Sequence, residues 1–483
     1  MSAREEGAPK LNRWSKPEYE RLNAADGMPP QTHSGIRAVR GIPLAAADGT
    51  VLLTDHVFPT QAKDSVVLIR TPYGRNGLNG VARMIAERGH HVVIRACRGT
   101  DGSGTPPFEP MVHEASDGQT TLAWLRAQPW ATGMVQSFGA SYIGLTQWAE
   151  GNGPLRPDAM VVSLSSRRFD EAIIYPGGGF CMETAVVWDY SLDLQTRPLP
   201  AQLWRLWRAQ PRVRQASLTV PPEDAARVAV GRESPFFRSW MAHSEPGDPW
   251  WEPLHFSPHP EDLPPVTILA GWQDLFLQGG FRDFADLTAA GTTVRLIAGD
   301  WTHHEGNQGV SAVRALLQQF DDPGLIARSA AVSLTTSGVA TERTFSQWPP
   351  PATPRTWFPT AGGSLADAAT NPRVDFFVRL TDVDAAGVSH SVTDVFQRMT
   401  APDAAEGPDA TLRRVRLTLA PTGHRFAAGH RVRLQISSGA HPLHLRNAGT
   451  ADPLHDFSQL IASEQTIVLG GDAAATLTVP VVS

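Results

Sequence analysis

Cysteine is nearly missing from this 483-residue chain, which holds only Cys97 and Cys181. Two thiols cannot staple so long a chain, and both sit among apolar neighbours, so they read as buried thiols in a reducing cytosol. Positive charge is also sparse: 42 Lys and Arg stand against 48 Asp and Glu, a formal net charge of -6, with no local basic block. That excludes the electrostatic footprint of a nucleic-acid binder. No apolar run approaches the roughly 18 residues of a membrane span, and the opening Met-Ser-Ala-Arg-Glu-Glu lacks the apolar core of a signal peptide. A cytoplasmic protein without membrane or nucleic-acid partners is expected. Neither an H-E-x-x-H motif nor a Cys/His zinc spacing occurs, and the pairs His90-His91 and His303-His304 do not by themselves make a metal site. No metal and no cofactor are expected.

What is plentiful is glycine (42) and proline (40), beside 41% apolar and 19% charged residues. This is a globular composition with many turns, in a chain long enough for two or three domains. Residues 1–35 are polar and aperiodic and read as a surface arm. From Ile36 to Phe58 two β-rich runs flank Ala47-Asp48-Gly49, a hairpin signal. Strands and helices then alternate: Ser65 to Arg70, a helix over Val81 to Arg88, His91 to Arg95, a helix over Glu114 to Ala127, Met134 to Phe138, and a helix just after Ser141. Pro265 to Ala270 and Val294 to Ala298 add two more strands. Such alternation predicts an α/β domain with a parallel sheet, over 36–165 and 262–328. Residues 166–261 lose the strand rhythm and hold Trp188, Trp204, Trp207, Trp240, Trp250 and Trp251, which predicts a helical cap whose tryptophans mostly pack. From 329 to 483, β-rich runs such as Phe376 to Leu380, Arg414 to Leu419 and Arg431 to Ile436 predict an all-β domain.

The chemistry centres on Ser137-Phe138-Gly139-Ala140-Ser141-Tyr142-Ile143-Gly144. A strand that turns sharply into a helix at a serine lifts that hydroxyl above the sheet edge, and small residues permit the strained turn. The second glycine of the usual G-x-S-x-G arrives one residue late, and a serine capping an ordinary helix competes with the nucleophile reading. A serine nucleophile needs a base, and the base an orienting carboxylate. Asp274 follows the strand PVTILA and His303 follows VRLIA, so both lie past strand C-termini, in the chain order Ser, Asp, His of this fold. Taken singly, Asp274 is also a helix cap and His303 a loop histidine, and His304 competes as base. For the oxyanion, the Tyr142 N–H is one donor by position, and the loop Arg70-Thr71-Pro72-Tyr73 should supply the second; Tyr73 offers a hydroxyl or simply packs on Pro72. The glycines Gly99, Gly102 and Gly104 are a turn rather than a dinucleotide loop, because Thr105-Pro106-Pro107 follows where a helix would have to open.

These residues resemble the cocaine esterase and X-prolyl dipeptidyl aminopeptidase-like (CocE/NonD) hydrolases, which include α-amino acid ester hydrolases. The resemblance runs through Arg70-Thr71-Pro72-Tyr73, Arg98-Gly99, Asp117-Gly118, Gly139 to Trp148, Gly271-Trp272 with Asp274, and Gly299 with Trp301 and His303. It continues through Phe376 to Asp384 and His424 to Ser438. It implies an α/β-hydrolase fold with a helical cap and a C-terminal β jelly roll, and an acyl-enzyme on Ser141 with His303 as base and Asp274 as orienter. It also implies an oxyanion hole from the Tyr73 hydroxyl and the Tyr142 N–H. Three positions depart from the family: Ala96 stands for a common Asp, Gln273 for a common aromatic, and the segment from Gly362 to Arg373 is short by several jelly-roll strands. Open β edges would leave pairing with a second copy, a homodimer, as an option. The expected activity is cleavage of a small-molecule carboxylic ester or amide. X-Pro dipeptidyl peptidase or α-amino acid ester hydrolase activity is the alternative within the class, and a non-catalytic ligand- or partner-binding member the alternative outside it.

Overall fold

The computed structural model describes the chain except residues 1–2, 13–14, 152, 198, 246, 305–306, 329–330, 340, 358–372, 401–414, 451, 458, 463–466, 468–474 and 483. Two compact units result: residues 1–172 with 250–344, and residues 173–249 with 345–483.

The first unit is built on an eleven-stranded sheet. In chain order its strands are β1 (Arg4–Glu6), β2 (Arg37–Ala45), β3 (Val51–Phe58), β4 (Val66–Thr71), β5 (His91–Ala96) and β6 (Val135–Ala140). They continue with β7 (Ala159–Ser163), β8 (Val266–Gln273), β9 (Val294–Thr302), β10 (Val332–Thr336) and β11 (Thr341–Phe345). The spatial order is β1-β2-β3-β5-β4-β6-β7-β8-β9-β10-β11. Pairing is antiparallel from β1 to β5 and parallel from β5 through β10. The central strands are apolar on both faces because helices cover both, as parallel sheets require. β4, β5 and β7 are buried at every position. On one face Ile69, Val92, Ile94, Val161 and Leu269 join Met84, Ile85, Val313 and Leu316 in one core. On the other, Val66, Leu68, Val93 and Val135 pack with Leu122 and Leu125. This is the parallel α/β sheet that the alternation predicts, in the α/β-hydrolase arrangement that the resemblance implies.

Two expectations about this unit are corrected. The N-terminal segment is more than a surface arm: β1 adds to the sheet edge, and the helix Ser15–Ala24 inserts Leu22, fully buried, into the core. Leu22 is buried and Tyr19 packs beside it, and two large apolar positions in ten residues are too weak a period to be read locally. Residues 332–336 and 341–345 do not open the β domain. They form β10 and β11, and β10 extends the central sheet parallel to β9. A short β-prone segment such as Val332–Thr336 (VSLTT) does not reveal which sheet it will join.

The second unit contains the helices Met182–Gln195, Leu199–Trp207, Ala209–Ser217, Ala225–Val230 and Pro235–Ala242. Trp240 is buried and stacks on Trp188 at 5.6 Å, whereas Trp204 and Trp207 are exposed. Its strands are β12 (Thr353–Trp357), β13 (Arg373–Val383), β14 (Ser389–Thr400), β15 (Arg431–Ser437) and β16 (Leu477–Val481). β13 lies between β14 and β15, and β12 pairs with β16, all antiparallel. Residues 415–419, expected as a strand, carry no strand assignment. The segment at which the jelly roll reads as shortened falls mostly on residues 358–372, outside the described ones. No helix is long and apolar enough to cross a membrane among the described residues.

Candidate active site

Ser141 stands between β6 and the helix Tyr142–Gly151 with φ of 58°, a left-handed conformation that a non-glycine residue holds only at a cost. Its N–H lies 3.0 Å from the Ser163 carbonyl and 3.1 Å from that of Leu164, and its own carbonyl accepts the Leu145 N–H at 3.0 Å. The turn is so tight that a Cβ on Gly139 (φ +149°) would collide with Ile143, and one on Gly144 would lie 2.5 Å from the Ser165 Cβ. This explains the late second glycine: in this turn the space is demanded at 144, against Ser165. The Gln147 amide then ties the helix back to the sheet through the carbonyls of Gly139 (3.2 Å) and Val161 (3.1 Å).

Asp274 follows β8, where the β8–β9 register shifts between Gly271 and Gln273. A Cβ on Gly271 would come within 2.5 Å of the Trp301 carbonyl oxygen, so the missing side chain lets the two strand ends close on one another. The Asp274 side chain is fully buried. Its Oδ1 accepts the Phe276 N–H at 2.8 Å and its Oδ2 lies 2.6 Å from His303 Nδ1. His303 Nε2 in turn lies 3.1 Å from Ser141 Oγ. The three residues picked from strand ends therefore form one continuous hydrogen-bonded relay. Among the described residues His304, largely exposed, meets the edge of the His303 ring at 5.3 Å; partial desolvation, then the neighbouring His303, holds its pKa below the ordinary value. The structure thus puts His303 rather than His304 between serine and aspartate.

Tyr73 is half-buried on the loop after β4; its N–H donates to Thr71 Oγ1 at 3.0 Å, and its side chain packs on the core that contains Ile143 and Trp301. Tyr142 is fully buried. Its backbone N–H belongs to the first turn of a helix, whose own ladder leaves such donors unused. Its hydroxyl accepts the Met111 N–H at 2.6 Å and donates to Glu114 Oε1 at 3.0 Å.

Glu114 leads to a group of residues that sequence reasoning missed. The buried Arg70 guanidinium bonds Glu114 Oε2 at 2.5 Å, Glu150 Oε1 at 3.0 Å, and the carbonyls of Glu114 and Thr146. Glu150 also accepts the Ser137 hydroxyl at 2.7 Å. One cation thus joins β4, which leads to Tyr73, to β6 and to the helices Glu114–Arg126 and Tyr142–Gly151. Burial opposes the Arg70 charge, but Glu114 and Glu150 more than offset it and its pKa stands above the ordinary guanidinium value. Burial lifts Glu150 above the ordinary carboxylate range while Arg70 and Ser137 pull it back. Cys97 is held far above the ordinary thiol range by burial, then by Glu114, which suits an inert thiol. The signal was a charged residue ending an apolar strand and two acids at helix ends, none of which announces its partner.

The departures from the family have simple local settings. Ala96 is buried, and Arg98 nearby takes its carboxylates from Asp117 (2.7 Å) and Asp48. Gln273 is exposed at the end of β8. His90 and His91 are buried and held by Ser65 (2.6 Å) and His56 (2.8 Å) respectively. Among the described residues, the set with metal-ligand spacing is Asp170, Glu171 and His255, but Glu171 is already paired with Arg168 and Arg282.

A model of the X-Pro dipeptidyl-peptidase (S15) family matches residues 48–305, and one of the X-Pro dipeptidyl-peptidase C-terminal non-catalytic domain matches residues 365–478. Cocaine esterase of Rhodococcus sp. (strain MB1 Bresler) is 26% identical over 361 residues, which are 67% of this chain and 62% of that protein. The match thus spans less than two thirds of that relative's length. Among solved structures, an aminopeptidase from a marine-sediment Thaumarchaeota archaeon superposes with a TM-score of 0.65 at 17% identity, covering 94% of this chain and 96% of that one. A CocE/NonD family hydrolase of Staphylococcus aureus gives 0.63 at 14%, covering 93% and 94%. An α-amino acid ester hydrolase gives 0.64 at 17%, covering 90% and 95%. At these identities the structural likeness is one of fold. The S15 match alone spans more than half of the sequence, and the chain belongs to the CocE/NonD, X-Pro dipeptidyl-peptidase-like family.

Proposed function

We propose that this protein is a serine hydrolase that cleaves a small-molecule carboxylic ester through an acyl-enzyme on Ser141. The observation that carries the reading is the relay Asp274–His303–Ser141, with contacts of 2.6 and 3.1 Å, at a strained strand-to-helix turn. In this reading His303 Nε2 takes the Ser141 proton as Oγ attacks the carbonyl, and then gives it to the leaving alcohol. Asp274 fixes the ring so that Nδ1 carries the other proton and Nε2 faces the serine. The Tyr142 N–H and the Tyr73 hydroxyl take the oxyanion. Water, activated by the same imidazole, then releases the acid and restores Ser141.

The preference for a plain ester over an amine-bearing substrate rests on where the acids are. Glu114 and Glu150 are committed to Arg70, and Asp274 to His303. None of these carboxylates beside the elbow is spare for a substrate ammonium. Cocaine esterase among the relatives favours the same choice, while the X-Pro peptidase description and the amino acid ester hydrolase fold favour the alternative. The test compares kcat/KM on simple acyl esters, on aminoacyl esters with a free amine, and on X-Pro anilides. Turnover of the simple esters is expected, and turnover confined to the amine-bearing substrates would refute the ester reading.

A further inference from the structure

We infer that the second unit carries its own binding site for a small organic monocarboxylate with an apolar tail. The site is a cavity of about 540 Å³ at the end of β15, next to the start of β13, a volume in the range of small-molecule pockets. Its charge balance selects the ligand. Of the ionised groups in its wall, Arg373 is paired with Glu245 (3.1 Å) and Asp375 with Arg398 (2.7 Å). Arg446 also lines the cavity, and no carboxylate pairs with it among the described residues. Among the described residues the wall is thus left with one uncompensated positive charge, which one carboxylate neutralises and a phosphate dianion overshoots.

The neutral polar groups point the same way. His441 lines the cavity, and both of its ring nitrogens are buried without a hydrogen-bond partner. Burial, then the Arg446 charge, holds its pKa below the ordinary imidazole value, with the His444 backbone opposing; a neutral imidazole offers one donor and one acceptor. A buried donor left unmade costs about 1–3 kcal/mol, a cost that an arriving carboxylate oxygen removes. The Ser437 and Ser438 side chains belong to the same wall. The remainder is apolar: Leu445 is buried, and Leu460 and Ile461 stand exposed at the cavity. Apolar surface of this kind favours a hydrocarbon tail over a bare inorganic anion.

The cavity is lined by residues of the second unit and Ser141 belongs to the first, so the site is tested with the serine blocked. The full chain is treated with a fluorophosphonate and titrated calorimetrically with hexanoate, hexanamide and inorganic phosphate. Hexanoate should bind with Kd on the order of 1 mM or tighter. Hexanamide and phosphate should each bind at least about tenfold more weakly. Arg446→Gln should weaken hexanoate by about tenfold or more while Arg446→Lys retains most of the affinity, with the rate of Ser141 labelling unchanged as the check on folding. Absence of hexanoate binding would overturn the proposal, as would equal binding of hexanamide, equal binding of phosphate, or indifference to Arg446→Gln. If Ser141 takes no label, the same titration on untreated protein tests this site while the esterase reading fails separately.

Discussion

Replacing Arg70 by methionine tests whether the cation beneath the turn holds the site together. Methionine fills much of the same volume, so the loss is electrostatic rather than a cavity. The guanidinium is 2% exposed and its two carboxylate partners 4% and 1%. Removing one partner of a buried pair leaves the other charge uncompensated and costs about 3–5 kcal/mol. The cost should depend on pH, and its sign can be fixed. Burial already lifts Glu150 above its ordinary 4.5, and Arg70 is the main group opposing that rise. Without Arg70 the folded-state pKa climbs further, the native state holds a proton that the unfolded chain releases, and stability is lost as pH rises from the unfolded value through the folded one. Each added unit is worth about 1.4 kcal/mol. Urea denaturation of wild type and variant should therefore show a deficit of about 3–5 kcal/mol near pH 8 and a smaller one near pH 5. A deficit below about 1 kcal/mol, or one equal at both pH values, would refute the reasoning.

Tyr73→Phe should lower kcat by about 10²–10³ with KM nearly unchanged, as expected for a lost oxyanion donor; steady-state kinetics on an ester checks it, and an unaltered kcat removes Tyr73 from that role. Burial holds the pKa of His56 and His90 down to about 3 and that of His91 to about 4, against an ordinary 6.5. These rings stay neutral in the fold while the unfolded chain takes up protons, so stability should fall as pH drops below about 6.5. Thermal denaturation across that range measures it, and replacing His56 with Gln should flatten the dependence. Gly144→Val should destabilise by about 1–3 kcal/mol or more, because the added Cβ alone meets Ser165; denaturant midpoints report it.

Sequence carried a large part of this structure where one local pattern sufficed. The apolar runs at Val66–Thr71 and His91–Ala96 read as buried strands because both of their faces are covered. Ser141, Asp274 and His303 were legible because strand ends are where this sheet places polar side chains, and their order in the chain supplied the rest. The Arg70 group was illegible for the opposite reason: Arg70 and Glu150 are 80 positions apart, and a buried charge shows its purpose only with its partner. The placement of β10 and the burial of Leu22 were likewise decided by tertiary neighbours rather than by local periodicity. Nor did local sequence place residues 173–249 in one compact unit with 345–483.

The central claim is that Ser141 is an activated nucleophile. A fluorophosphonate probe followed by mass-spectrometric mapping addresses it directly, with Ser141→Ala and His303→Ala as controls. Stoichiometric modification of the peptide containing Ser141, abolished in both variants, is the predicted result. Label that persists in Ser141→Ala would contradict the account by placing the nucleophile elsewhere, and folded protein that takes no label would contradict it and leave a family member that binds without turnover.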